Sequence, residues 1–181
     1  MQGPTLFQRI LVPVDFSAAS DELVASGRAM RVGNQSIDFA PASMRSIELA
    51  AALARAYGGR LRLIHATPTL NYSAMYTPPA GVALPPNVIT EIHESARRAS
   101  VEALSTLAAL HCEGVTVECE ALPGVPLNVV LEEVDRFHAD LVVLAASGRS
   151  RVTRFFLGST ADRVIRQASC PVLVIPAHPH E

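Results

Sequence analysis

The residues with the clearest chemical potential lie in one run, Leu141 to Ser159. Leu141 to Ala145 is short, apolar and rich in β-branched residues, as expected of a buried strand in a parallel sheet. Ala146 to Arg151 then turns small, polar and basic, and Gly158-Ser159-Thr160 opens a helical pattern carrying Val164 and Ile165 on one face, with Ser159 or Thr160 as a capping hydroxyl. A strand, a small-residue loop and a helix start in this order make an anion site, because free backbone N–H groups and the positive end of the helix dipole converge on one point. Phosphate is the obvious guest. Gly148 and Gly158 let backbone approach phosphate oxygens with no Cβ in the way, and the Ser159 hydroxyl adds a donor. The plainer alternative is a strand, loop and helix whose glycines only serve turns.

A second chemical residue closes the first strand, Arg9 to Asp15. In open α/β sheets the C-terminal ends of the strands line the binding crevice, so Asp15 meets the loop after Ala145 if the two strands are neighbours. There a carboxylate accepts hydrogen bonds from ribose hydroxyls or a base amino group; the competing reading is that Asp15 caps the next helix. His65, near the end of the strand Arg60 to Ala66, has no Ser, Cys or acid spaced to work with it and reads as structural.

The bulk properties narrow the function classes. A chain of 181 residues, 49% hydrophobic and 18% charged, suits one domain with a real core. The net charge of −2 and a scatter of arginines argue against a nucleic-acid partner. The sequence has no lysine, which removes both a P-loop lysine and Schiff-base chemistry. Cys112, Cys119 and Cys170 show no metal-ligand spacing, and their odd number fits a reducing compartment. Met1 to Arg9 lacks an apolar signal core and no run approaches the ~20 apolar residues of a membrane helix, so a cytoplasmic protein is expected.

The elements that must position these residues follow in order. Asp15-Phe-Ser-Ala-Ala-Ser20 is echoed by Asp38-Phe-Ala-Pro-Ala-Ser43, and the helical pattern of Ile47, Leu49, Ala50, Leu53 and Ala54 follows only the second copy. Residues 16–40 therefore read as an insertion after strand 1, with three options open: a lid over the crevice, a partner surface or a neutral local duplication. The helix from about Ala42 stops at Gly58-Gly59, and the strand Arg60 to Ala66 completes a β-α-β unit whose strands are parallel neighbours. Residues 68–87 form a proline-rich loop. A helix is predicted from about Val88 to His111, with Ile92, Ala96, Ala99, Ala103, Leu107 and Leu110 on its inner face. Val115 to Leu122 is a strand, Pro126 opens a helix through about Phe137, and Val172 to Ile175 is a final strand before the tail, residues 177–181. So late and so apolar an edge calls for a second copy to cover it.

These motifs together resemble the universal stress protein family. The resemblance rests on Ile-Leu-Val-Pro-Val-Asp-Phe-Ser at 10–17, Gly-x-Pro at Gly124 and Pro126, Ala-Asp-Leu-Val-Val at 139–143, Gly-Arg-Ser at 148–150, Leu-Gly-Ser at 157–159 and Cys-Pro-Val-Leu-Val-Ile at 170–175. It covers nearly the whole chain, residues 1–181, apart from 16–40. It implies an α/β fold with an open five-stranded parallel sheet in the order 3-2-1-4-5, helices on both faces in a Rossmann-like arrangement similar to the adenine nucleotide alpha hydrolases, and a homodimer joined through Val172, Leu173, Val174 and Ile175.

Family members that bind ATP carry Gly-x2-Gly-x9-Gly-(Ser/Thr), where this chain reads Ala145-x2-Gly148-x9-Gly158-Ser159. The resemblance implies adenine near Pro13, Val14, Asp15 and Ala66, and phosphates, with Mg²⁺ as the usual companion of ATP, near Ala145, Ser147, Gly148, Gly158, Ser159 and Thr160. Arg149 or Arg151 adds charge to the phosphate side or stays a solvated loop residue. If the first motif position needs a positive φ or a close phosphate contact, Ala145 costs about 1 kcal/mol. The resulting expectation is an ATP-binding regulatory protein of the universal stress response, with a downstream protein partner the sequence does not name. A dimeric interaction protein that has lost nucleotide binding is the alternative. A slow ATPase is the least supported reading, because no acidic cluster beyond Asp15 accompanies the loop and no catalytic residue is assigned.

Overall fold

The computed structural model describes residues 6–26, 29–32, 35–67, 86–146 and 158–176. In chain order the elements are β1 (Arg9–Pro13), β2 (Phe16–Ala18), α1 (Asp21–Ala25), β3 (Met30–Val32), β4 (Gln35–Phe39), α2 (Pro41–Tyr57), β5 (Arg60–Thr67), α3 (Pro86–His111), β6 (Thr116–Pro123), α4 (Pro126–Phe137), β7 (Leu141–Ala145), α5 (Ser159–Gln167) and β8 (Val172–Ile175).

The main sheet runs β6-β5-β1-β7-β8, with every neighbouring pair parallel. Counted by position among these five strands, the order is 3-2-1-4-5. Ile10, Leu11 and Val12 of β1 and Val142 and Val143 of β7 have no solvent exposure, which is why these strands read as continuous apolar runs. Alternation assigns their side chains to two cores. Ile10, Val12, Leu61, Leu63, Leu141 and Val143 pack under α2 and α3, whereas Leu11, Ile64, Val142 and Leu144 pack under α4 and α5. The order in which successive strands are laid down turns about between β1 and β7, and at that switch point the connections leave toward opposite faces and open a crevice.

Two local devices hold the centre in register. Asp140, from the Ala-Asp-Leu-Val-Val motif, accepts the amides of Gln8 at 2.8 Å and Arg9 at 3.1 Å, so its role is to tie β7 to the start of β1. Gly59, after the left-handed stop of α2 at Gly58, lies so close to Phe7 that a Cβ would stand 2.1 Å from that carbonyl oxygen. Only glycine fits there.

Residues 16–39 depart from the five-strand plan. Their strands form an antiparallel sheet, β2-β4-β3, with the short α1 between β2 and β3 in the chain. The two copies of Asp-Phe end up facing each other, because Phe16 pairs with Phe39 and Ser17 with Asp38. The chain therefore leaves the main sheet and returns to the same place. Phe16, Val32, Ile37 and Phe39 are buried and join the core under α2 and α3. At about 1.5–3 kcal/mol for each large apolar side chain buried, this seats the small sheet firmly.

Several local expectations need correction. The proline-rich loop, 68–87, gives up its last two residues to α3, which starts at Pro86; proline at a helix start lacks only an N–H that would be unpaired there. Residues 68–85 and the tail lie outside the described residues. On α3 the inner face is Ser100, Ala103, Leu104 and Leu107, whereas Ile92 and Leu110 are exposed, since the first turns and the last one run past the sheet they cover. Val164 and Ile165 do not share a face: successive helix positions are about 100° apart, and Val164 is buried while Ile165 is exposed. Leu49 is exposed for the same reason, beside the buried Ile47, Ala50 and Ala51.

Candidate functional site

A cavity of about 320 Å³ opens at the C-terminal ends of β1, β5 and β7. Its wall brings together Pro13, Val14 and Asp15 from the end of β1, Ala66 from β5, Ala145 from β7, and Gly158, Ser159 and Thr160 from the start of α5. Of the residues the sequence singled out, Ser147, Gly148 and Arg149, with Arg151, lie outside the described residues. The strand end and the helix start are locked together by a hydrogen bond from the Gly158 N–H to the Ala146 carbonyl, 2.6 Å.

The helix start differs in detail from the predicted cap. Gly158 is the N-cap, with φ −59 and ψ 148, and no side chain caps the helix. Ser159 and Thr160 lie inside the first turn, where their hydroxyls cannot make the usual capping bond. The first turn bond runs from the Asp162 N–H to the Gly158 carbonyl at 2.9 Å, so the amides of Ser159, Thr160 and Ala161 precede the helix ladder and face the crevice end. Gly158 sits at an ordinary negative φ, so its value to an anion is the room it leaves for close approach and not its backbone freedom.

Ala145 is similarly unstrained. It belongs to β7, pairs with Ile175, and is not among the described residues with positive φ, which apart from glycines are Phe7 and His138. The backbone part of the expected cost of alanine there falls away; only its methyl group remains to be accommodated.

Asp15 caps neither following helix, since the N-cap of α1 is Ser20 and that of α2 is Ala40. It is exposed at the cavity wall. Among the described wall residues it is the sole carboxylate. His65 also faces the cavity, which the sequence did not reveal. Its ring nitrogen Nδ1 lies 2.9 Å from the Val14 carbonyl, the geometry of a ring N–H donating to that oxygen, and the ring stacks on Phe16 with centroids 3.8 Å apart and planes 17° apart. The stack joins the small β2-β4-β3 sheet to the crevice wall.

Three helix starts converge on this space from both faces of the sheet: Ser43 from α2 on one face, Pro126 and Val129 from α4 and the α5 residues on the other. The approach of α4 depends on Gly124, at φ 151, which donates its N–H to the Thr67 carbonyl at 3.0 Å and where a Cβ would fall 2.9 Å from a Val129 methyl. The Gly-x-Pro motif is thus a turn that seats α4 beside β5. Ser43 escaped the sequence reading, although the second Asp-Phe-x-x-x-Ser copy was a signal for it.

Chemically the wall offers backbone donors, hydroxyls, one carboxylate and an apolar floor of Ile64, Val130 and Leu144. That combination suits a ligand with an anionic end and a flat, weakly polar end. Among the described residues no three His, Cys, Asp or Glu side chains group to hold a metal ion. No helix of the described residues is long and apolar enough to cross a membrane.

Comparison with known proteins agrees with this architecture. A universal stress protein of Thermus aquaticus is 30% identical over 133 residues, 72% of this chain and 88% of its own length. The universal stress protein MJ0531 of Methanocaldococcus jannaschii is 45% identical over 62 residues, 34% of this chain, and the match spans only 36% of that relative. Among solved structures, the hypothetical protein MJ0577 superposes with a TM-score of 0.68 at 14% identity, covering 97% of this chain and 99% of its own. A universal stress protein solved in complex with cAMP superposes with a TM-score of 0.54 at 19% identity, covering 96% and 99%. At such identities these structures speak for the fold alone. The family model of the universal stress proteins matches residues 36–176, which starts inside β4 and omits the central strand β1. With most of its length matched and the five-stranded parallel sheet in place, this chain belongs to the universal stress protein family.

Proposed function

We propose that this protein binds an adenine nucleotide, ATP, in the crevice between β1 and β7 and works as a homodimeric regulatory module of the stress response. The observation that carries the reading is the cavity whose wall holds Asp15 and Ala66 together with Gly158, Ser159 and Thr160. The α5 start supplies amides and a helix dipole for the phosphates. Asp15 and the backbone near Ala66 supply polar partners for the adenosine. A related fold has been solved with cAMP, which is an adenine nucleotide. Ala145, at an extended strand position, is compatible with binding. Mg²⁺ arrives with the phosphates, because the described wall offers one carboxylate and not a cage. The reading assigns no turnover: nothing on the described wall orients a nucleophile toward a phosphate.

The test is calorimetric titration with ATP and Mg²⁺ after removal of copurified nucleotide, with Gly158→Arg as the blocked control. Micromolar binding that the variant loses supports the reading. No heat and no thermal shift in the parent protein overturns it and favours a dimer that acts through its surface alone. The dimer itself is read from β8, which among the described residues pairs only with β7, stands at the sheet edge and exposes Leu173. Leu173→Asp is expected to convert a dimer to a monomer in light scattering.

A further inference from the structure

The six-residue echo has a division of labour that its sequence conceals. Asp15 of the first copy lines the cavity, and so does Ser43 of the second; neither Ser20 of the first copy nor Asp38 of the second does. Ser20 stands at the start of α1 and makes no side-chain cap bond. Asp38 is carried away on β4, opposite Ser17. A chain that passed directly from strand to helix would take acid and hydroxyl from one Asp-Phe-x-x-x-Ser run. Here the excursion of β2, α1, β3 and β4 splits that run, and the antiparallel pairing of Phe16 with Phe39 brings the two useful halves back together.

Ser43 has the marks of a group awaiting a ligand. It is 1% exposed and lines the cavity. Its backbone N–H is used, donating to the Ala40 carbonyl at 2.8 Å, but its hydroxyl makes no hydrogen bond to a described residue. Neighbouring Ser46 shows the contrast, because its hydroxyl turns back onto the Ala42 carbonyl at 2.8 Å. Nor is the Ser43 hydroxyl sealed in the protein: the enclosed side-chain polar atoms without a hydrogen bond among the described residues are on His93 and Glu133. A buried hydroxyl that is neither paired nor enclosed opens to the cavity. It does so from the first turn of α2, a helix of 17 residues whose N-terminus carries no side-chain cap. The positive ends of α2 and α5 therefore meet in the same crevice from opposite faces of the sheet.

We infer that Ser43 is a ligand-binding residue of this site, donating to the phosphate chain of the bound nucleotide across from Ser159, and that the excursion divides one recognition element between its two ends. The inference rests on the nucleotide reading above. Its test compares Ser43→Ala with Ser20→Ala and Asp38→Ala in calorimetric titrations with ATP, AMP and adenosine. Titration of the parent protein alone judges whether the site takes nucleotides. Given that binding, Ser43→Ala is expected to weaken ATP and AMP roughly tenfold, to leave adenosine unchanged, and to leave the unliganded melting temperature unchanged or slightly raised, because the lost hydroxyl has no protein partner. The Ser20 and Asp38 variants are expected to bind as the parent does. Parent-like ATP affinity in Ser43→Ala overturns the inference while the nucleotide reading stands, as does an equal loss for adenosine or an affinity loss explained by a lowered melting temperature. Ser43→Thr, which keeps the hydroxyl, is expected to retain more affinity than Ser43→Ala.

Discussion

Two polar regions sit on the same sheet and are built on opposite principles. At the C-terminal ends of the strands, Asp15, Ser43, Ser159 and Thr160 surround open space. Lower on β5, Arg62 is surrounded by protein. It hydrogen-bonds Glu118 of β6 and Glu133 of α4, the latter at 2.9 Å, lies near Glu120, and stacks over the Phe137 ring at 4.3 Å. Glu133 has no solvent exposure, and its other oxygen, which makes no hydrogen bond, lies 2.7 Å from the Arg136 guanidinium as an ion pair. The carboxylates raise the Arg62 pKa against the opposing effect of burial, which is the largest single influence on it. The lesson is one of satisfaction: a cluster whose charges answer one another holds structure, whereas the Ser43 hydroxyl, facing an open crevice, is left for something that arrives.

That contrast can be broken from either side. Arg62→Met leaves Glu133 buried with half its partners, and breaking a buried pair costs about 3–5 kcal/mol. The expected outcome is a strongly lowered urea midpoint with ATP affinity intact in whatever fraction folds. Gly158→Arg is the converse, with binding abolished and the urea midpoint preserved. If both variants lost stability and binding together, the two regions would not be separate.

A smaller effect sharpens the crevice side. Asp15→Ala is expected to weaken ATP by about tenfold with little change in stability, since Asp15 is exposed and caps neither α1 nor α2. Equal affinity in a calorimetric titration would remove Asp15 from the site.

A further prediction concerns a third kind of polar group, a buried thiol that its surroundings hold neutral. Burial, with a lesser push from Cys119, raises the Cys112 thiol from an ordinary 9.0 to about 11. As pH climbs past 9 the unfolded thiol ionises while the folded one stays neutral, so stability falls between pH 9 and about 11. Urea midpoints at pH 8 and 10.5 should differ less in Cys112→Ala than in the parent protein.

Much of this molecule was legible in its residues, and the illegible parts share a cause. The apolar runs Ile10 to Val12 and Leu141 to Leu144 announced buried parallel strands because both their faces are covered. The Gly158-Ser159-Thr160 pattern announced a helix start beside a strand end, and a helix start leaves its first amides outside the helix ladder in any context. Faces were harder. Ile92 and Leu110 repeat at helical spacing yet stand exposed, since periodicity reports a face but not how far the neighbouring sheet extends beneath it. The small β2-β4-β3 sheet lies within what the sequence showed only as an insertion, its strands unassigned, because strands of three to five residues carry too little alternation to register.

By itself, then, the sequence determined the local states and the chemistry on offer: strands from apolar runs, helix starts from proline and glycine, a carboxylate at one strand end and donors at another. Only the tertiary structure decided which of two Asp-Phe copies serves the crevice. Asp15 and Ser43 are 28 positions apart in a repeat whose copies look alike, and no local preference distinguishes them. The choice is made by the pairing of Phe16 with Phe39, which closes the excursion and sets the end of β1 beside the start of α2. Such pairings depend on contacts between distant residues, and a linear pattern carries no record of them until the chain has folded.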